Sequence, residues 1–375
     1  MSVRLNPTRI ETARQRRGLS KTEFAKALGL TPRTITKYET EGAPPKALAQ
    51  IAQVLAFPEP YFHLPDIAEF NDDLVCFRAG KTVAAKTKKS ALAAGKHALE
   101  ISQWIRQRYQ LPGNCIPNMT GEDPAVAAQV LRQEWGLGKQ PMPNLVQLCE
   151  SKGIGVFGLP RYADAVDAYS AWHETDPYIF CARRRSPEDV RFDIAHQLGH
   201  LLLHAHYPGA LTAQEEREAN AFATELLVPV IALIEDVNRH HSVNTYQVIV
   251  LSRYFDAPAK TTAVQLKKVG KLTEWAYRVA LTELAEYRFE ISSPNLRPHY
   301  ERSEVFDFVL SDDEAEKVTA RSIANELALP ESDVRSALLD QQLGVAAETT
   351  PTGGSPEVAS HPATTRPQLQ LITSE

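Results

Sequence analysis

Short apolar stripes and capping residues predict four helices in the first 65 residues. Ile10 and Ala13, with Arg14 and Arg17, mark a first helical stretch that stops at Gly18, a residue suited to a left-handed cap. Ser20, with Glu23 three residues on, is a capping box. Phe24, Ala25 and Leu28 stripe the helix it starts, and Gly29 ends that helix. Thr31 caps a third helix with Pro32 in its first turn, where a fixed φ and a missing N–H cost least. Ile35 and Tyr38 face inward from this helix, leaving Arg33, Thr34, Thr36 and Lys37 outside. After Pro44-Pro45, the residues Leu48, Ile51, Ala52 and Leu55 give a fourth helix its buried face.

The proline-punctuated stretch Phe57–Pro65 reads as the exit from this unit. Residues 81–110 are nearly free of Gly and Pro, Gly95 excepted. Leu92, Ala98, Leu99, Ile101 and Ile105 stripe them as a helix that serves either as core or as a dimerising element, core being the better fit. Pro124–Trp135 and Pro143–Lys152 read as further helices. Ile154–Leu159, Ala165–Trp172 and Tyr178–Arg183 read as strands, the last two separated by a turn at Asp176-Pro177. Helices, then a small antiparallel sheet, then helices again predict an α+β domain.

Composition adds one asymmetry. Residues 1–65 hold ten Lys/Arg and five Asp/Glu, a net +5. The whole chain is −5, so residues 66–375 carry −10. A basic head on an acidic body points to a part that meets a polyanion and a part that does not. No apolar run approaches the ~20 residues of a membrane span. Met1–Glu11 has Arg4 and Arg9 but no apolar segment, so no secretory leader is expected. Cys76, Cys115, Cys149 and Cys181 form no CxxC pair, against a disulfide framework or a cysteine zinc knuckle. A cytoplasmic multidomain protein is expected.

Two short capped helices joined by Gly29-Leu30-Thr31 make a helix-turn-helix. The stretch LSKTEFAKALGLTPRTITKYE, Leu19–Glu39, resembles the Cro/cI-like (XRE) DNA-binding family, and the likeness covers residues 6–65. It implies that the helix from Thr31 lies in the major groove of a double-stranded operator. Arg33, Thr34 and Lys37 would then reach bases or phosphates, and Lys21 and Thr22 the backbone. Lys21 departs from the family, which often has Gln there; an ammonium is a point charge, not a two-sided amide reader. The alternative for the segment is a helical protein-interaction module. Heads of this type commonly dimerise, and a homodimer would match palindromic half-sites, although no heptad fixes one here.

The most informative stretch is VRFDIAHQLGHLLLH, Val190–His204. His196 and His200, at i and i+4, leave one face of a helix one turn apart, a geometry suited to two nitrogen ligands on tetrahedral Zn²⁺. Glu216, on a later helix, offers a third ligand. Asn220, one turn on, can hydrogen-bond a ligating histidine. His204 shares the histidine face and either bonds within the site or merely ends the helix.

The segment Phe192–Pro229, with HQLGHLLLH and EREANAFATELLVP, resembles the ImmA/IrrE family of zinc metallopeptidases. The likeness runs from about Phe77 to Gly270. It takes in Phe77-Arg78-Ala79, the DAYSAW strand (Asp167–Trp172) and helices at Tyr246–Val269. It implies a zincin-like, gluzincin-type α+β fold, one zinc per chain, and cleavage of repressor-like proteins in stress responses. A metzincin pattern through His206 would need glycine at Leu203 and is rejected. Tyr169, on the DAYSAW strand, is a candidate to orient substrate or stabilise an oxyanion. That strand, if an edge, could also pair with an extended peptide.

Position 197 breaks the motif. The family has H-E-x-x-H, whose glutamate takes a proton from zinc-bound water; here it is Gln197, nearly the shape of a carboxylate but unable to accept that proton. Two readings stand: a substitution that traps substrate or stops self-cleavage, or a natural loss that leaves the cleft as a binding or sensing surface. Arg183-Arg184-Arg185, Lys260, Lys267 and Lys268 read as solvated charge.

The expected organisation is an all-α helix-turn-helix head (1–65), a linker and connecting helix (66–110), the peptidase-like domain (111–270), a helical C-terminal part of unassigned role (271–345) and a disordered Thr/Pro/Gly/Ser-rich tail (346–375). In the C-terminal part, helices are expected around 274–287, 315–327 and 331–339. The function expected is a DNA-binding regulator with a peptidase domain silenced at Gln197. The alternative is a non-catalytic or antitoxin-like autorepressor that senses a partner through the peptidase fold.

Overall fold

The computed structural model describes residues 4–70, 75–79, 83–160, 166–183, 185–204, 211–237, 243–286, 300–310, 318–341 and 370–371. The head comprises α1 (Pro7–Arg16), α2 (Lys21–Leu28), α3 (Pro32–Glu41) and α4 (Leu48–Leu55). Ser20 and Glu23 close a reciprocal capping box, Gly29 takes φ 65°, and Thr31 caps α3. Ile10, Ala13, Phe24, Leu28, Ile35, Ile51 and Leu55 bury together as one core.

The body begins with β1 (Cys76–Ala79), α5 (Ala85–Arg106), β2 (Tyr109–Gln110), α6 (Pro124–Glu134) and α7 (Leu145–Ser151). Then come β3 (Gly155–Gly158), β4 (Val166–His173) and β5 (Asp176–Cys181). The sheet order is β1-β4-β5-β3, and it departs from the expected antiparallel sheet in two ways. β3 pairs parallel with β5, and β1 pairs antiparallel with β4, so the DAYSAW strand is interior and cannot accept a peptide at its edge. The hairpin turn falls at Glu174-Thr175, with Glu174 at φ 53°, while Asp176 and Pro177 already pair with His173 and Trp172.

Helices α8 (Pro187–Leu203), α9 (Ala213–Leu227), α10 (Val230–Val237), α11 (Thr245–Tyr254), α12 (Ala259–Lys268) and α13 (Glu274–Glu286) follow. The C-terminal part adds α14 (Glu304–Val309), α15 (Ala320–Glu326) and α16 (Glu331–Ala337). Of the tail expected to be disordered, only Gln370–Leu371 is described, as a strand β6 paired with β2; the rest lies outside the described residues.

Helix α5 is the spine, packed on α1 of the head as well as on the sheet. Gly95 explains its closeness to the sheet: a Cβ there would stand 2.0 Å from the Tyr169 hydroxyl. The head is tied to the body by buried polar contacts. Arg9 makes a two-pronged pair with Glu100 at 2.6 and 3.0 Å, Tyr61 meets His97 at 2.9 Å, and Ser90 donates to the Arg16 carbonyl at 3.0 Å. Asp333, in the first turn of α16, takes Arg16 at 2.9 Å and Arg17 at 3.1 Å. The C-terminal part thus grips the head directly. Losing one partner of such a buried pair leaves an uncompensated charge.

A second buried carboxylate, Glu150 on α7, holds the start of α14 by accepting from the Ser303 hydroxyl and the Glu304 N–H (3.0 Å). Burial pushes its pKa up to about 8. The unfolded chain ionises near the ordinary 4.5, so it loses its proton first, and stability falls as pH rises until the folded pKa is passed. Glu150→Gln removes this titration alone, so the difference between its Tm profile and that of the parent chain isolates the group. Glu150→Gln is therefore expected to flatten the decline in Tm between pH 6.5 and about 8, measured by thermal melts across that range.

Candidate metal centre and DNA-facing surface

Ser186 caps α8, and a capping box of Thr212 with Glu215 sets the start of α9, placing Glu216 in its first turn. Among the described elements, these two helices make the most extensive contact. Gly199 allows this approach: a Cβ there would lie 3.0 Å from Phe222 Cδ1 and 3.4 Å from the Ala219 backbone.

Across that contact His196 Nε2 and His200 Nε2 stand 3.0 Å apart, and the Glu216 carboxylate lies 3.6 and 3.4 Å from them. Among the described residues these three form the one group of ligand atoms within 4.8 Å of one another. A tetrahedron with zinc bonds of about 2.0–2.1 Å has edges of about 3.3–3.4 Å, so the triangle matches one tetrahedral face. Burial holds His196 well below its ordinary pKa, with Arg78 and His200 adding to the depression. Burial also lowers His200, against the pull of Glu216. Both imidazoles are therefore kept neutral, the form whose lone pair a metal needs. The donor set and its spacing fit the ion that the sequence implies.

Behind the triangle, His200 Nδ1 meets His204 Nδ1 at 3.0 Å, and His204 Nε2 meets Glu218 at 3.0 Å. If Nε2 of His200 faces a cation, its Nδ1–H donates to His204, which donates in turn to Glu218. That order fixes the ring's tautomer and direction. His204 is thus joined to the site, and Glu218 is a member that pattern reasoning missed. Asn220 lies within hydrogen-bonding reach of His196, as expected, and that contact works against the lowering of the histidine's pKa. Its amide also donates to the Glu216 carbonyl at 2.7 Å and accepts from Arg78 at 3.2 Å. Arg78, on the edge strand β1, is anchored to buried Asp193 at 2.6 Å and lies over the Phe192 ring. Its membership was signalled only by the Phe77-Arg78-Ala79 likeness.

Tyr169 is a correction. It is fully buried, stacked 4.4 Å from Phe180, and donates its hydroxyl to the Ala91 carbonyl of α5. A side chain so placed supports the sheet and cannot reach a substrate. Gln197 is also fully buried, and neither its Oε1 nor its Nε2 has a partner among the described residues. An amide orphaned in this way costs free energy unless a ligand or water completes it.

On the head, Thr22 and Arg33 are exposed, and Arg33 has no polar partner among the described residues. Thr34 is drawn into the cap of α3 through Thr31. Lys37 lies 3.6 Å from Glu41, both well exposed, and remains open to a phosphate. Lys21 is less free: it and Arg14 share Glu39, at 3.0 and 2.5 Å, so part of its charge is already neutralised.

Residues 10–62 match a family model described as helix-turn-helix, and residues 149–267 match a peptidase-family model described as the IrrE N-terminal-like domain. No curated protein matches the chain. No helix among the described residues is long and apolar enough to cross a membrane.

Gly199→Ala should press on the Phe222 ring and displace it from the ligand-bearing helix α8 by a few tenths of an ångström, a strain set against the roughly 1 kcal/mol by which alanine favours a helix. The expected signature is a loss of metal affinity larger than that of a control substitution of equal effect on stability elsewhere, read by chelator competition.

Proposed function

We propose that this chain, a helix-turn-helix head joined to an IrrE-like peptidase domain, is a cytoplasmic DNA-binding regulator whose zinc site is arrested at Gln197. The observation that carries the reading is the pairing of a three-ligand cluster with a buried amide whose polar atoms have no partner. His196, His200 and Glu216 would hold one zinc ion, with His204 and Glu218 directing His200. When bound, zinc supplies a Lewis acid for a scissile carbonyl and lowers the pKa of water.

Position 197 follows His196 by about 100° around the helix and precedes His200 by one turn less ~60°, at the margin of the ligand face. A carboxylate there can take a proton, whereas an amide can only donate or accept a hydrogen bond. Gln197 therefore leaves ligand binding intact and removes proton transfer, worth about 10²–10⁴-fold in rate. The partner class is a repressor-like protein, with the chain's own head as one instance. Two copies on a palindromic operator would place two heads on successive half-sites.

The orphaned amide favours a second reading as well, in which Gln197 completes its hydrogen bonds on a bound peptide segment and the domain senses a partner without cleaving it. Gln197→Glu separates the two. Zinc-loaded variant is incubated alone and with a helix-turn-helix regulator, and the products are read by intact-mass spectrometry. Cleavage at least about 10²-fold faster than in the parent chain is expected for an arrested peptidase. A zinc-loaded variant that remains inert supports the sensing reading instead.

A further inference from the structure

From Leu74 to Leu99 the chain holds six cations (Arg78, Lys81, Lys86, Lys88, Lys89 and Lys96) and no Asp or Glu, inside a body that is otherwise acidic. Three of the six have tasks within the fold. Arg78 is held by Asp193, Lys96 pairs with Glu69, and Lys88 lies over the Phe77 ring. Lys81 lies outside the described residues. Lys86 and Lys89 remain, exposed and three residues apart near the start of α5, and so neighbours on one helix face.

Their position is set by the head. Lys86 reaches Glu23 in the first turn of α2 at 2.8 and 3.1 Å, and its Cε lies 3.8 Å from where a Cβ on Gly18 would stand. That first turn also holds Lys21 and Thr22. One turn along α5, Ser90 is fastened to the Arg16 carbonyl by a buried hydrogen bond, and further on Arg9 grips Glu100. The lysines are therefore carried in a fixed relation to the helix-turn-helix. The Lys86–Glu23 pair is about half exposed on both sides, and pairs of that kind are worth ~0–1 kcal/mol, little against a competing phosphate. Lys89 has no polar partner among the described residues.

We infer that the start of α5 is a second DNA-backbone contact, with Lys86 and Lys89 facing phosphates beside those met by the first turn of α2. The inference rests on the DNA-binding reading of the head. It extends the footprint onto the peptidase-like body, so that the connecting helix takes part in binding. Contacts of this kind position the protein and carry no sequence information.

Salt dependence of binding provides the test. Fluorescence anisotropy of the full chain is followed over a salt series with a mixed-sequence duplex and with a duplex that the chain selects from a random pool. Each phosphate contact contributes about 0.9 to the slope of log K against log salt. The Lys86→Ala/Lys89→Ala variant should show a slope shallower by roughly 1–2 on both duplexes, with the preference between them unchanged. Glu23→Gln keeps the capping geometry but removes the competing carboxylate, and should tighten binding to both duplexes alike. Arg33→Ala, by contrast, should reduce the preference between them. An unaltered slope in the double variant overturns the inference, including where its melting temperature falls, since the lysines then only tether α5 to the head. Failure of the parent chain to bind either duplex overturns the reading of the head, and this one with it.

Discussion

The close approach of α8 and α9 at Gly199 is the constraint on which the site depends. Two imidazoles one helical turn apart are unremarkable until a carboxylate from another helix comes within about 3.5 Å of both, and at this spacing a Cβ at position 199 would press on the Phe222 ring. The same contact seals the histidines from water, which keeps them neutral and ready to donate lone pairs. Burial that would destabilise a charged histidine thus prepares a cation site. Gln197 shares that enclosure, which is why its unpaired amide atoms cannot turn to solvent.

Helix α5 touches the head, the sheet and α16 and so joins the three. Asp333 adds to this junction, because it binds two head arginines from a helix more than three hundred residues away in sequence. The C-terminal part, for which the sequence suggested no chemistry, is in structural terms the other half of the head's seat.

The head was legible because its signals are local. Caps, a proline at a helix start and glycines at helix ends each act within four residues, and the observed helices begin and end where they direct. The histidine pair was legible for the same reason. Contacts made across long separations were not. The strand Cys76–Ala79 is short and unpatterned, yet its pairing with β4 makes the DAYSAW strand interior and removes it as a docking edge. Tyr169 had the chemistry of a catalytic residue, but strand alternation aims it at α5, a direction that only the sheet's neighbours decide. Glu218 and Asp193 act through partners on other elements, and no spacing rule announces them.

The metal assignment requires that two buried histidines and the partly exposed Glu216 hold one ion. Elemental analysis of the purified chain and of His196→Ala measures this directly. About one zinc per chain, lost in the variant, is the predicted result, since a tetrahedral site with three protein ligands fails when one buried ligand is removed. Zinc absent from the parent chain after loading and desalting, or retained equally by the variant, would contradict the assignment and leave a DNA-binding protein whose histidine cluster has some other use.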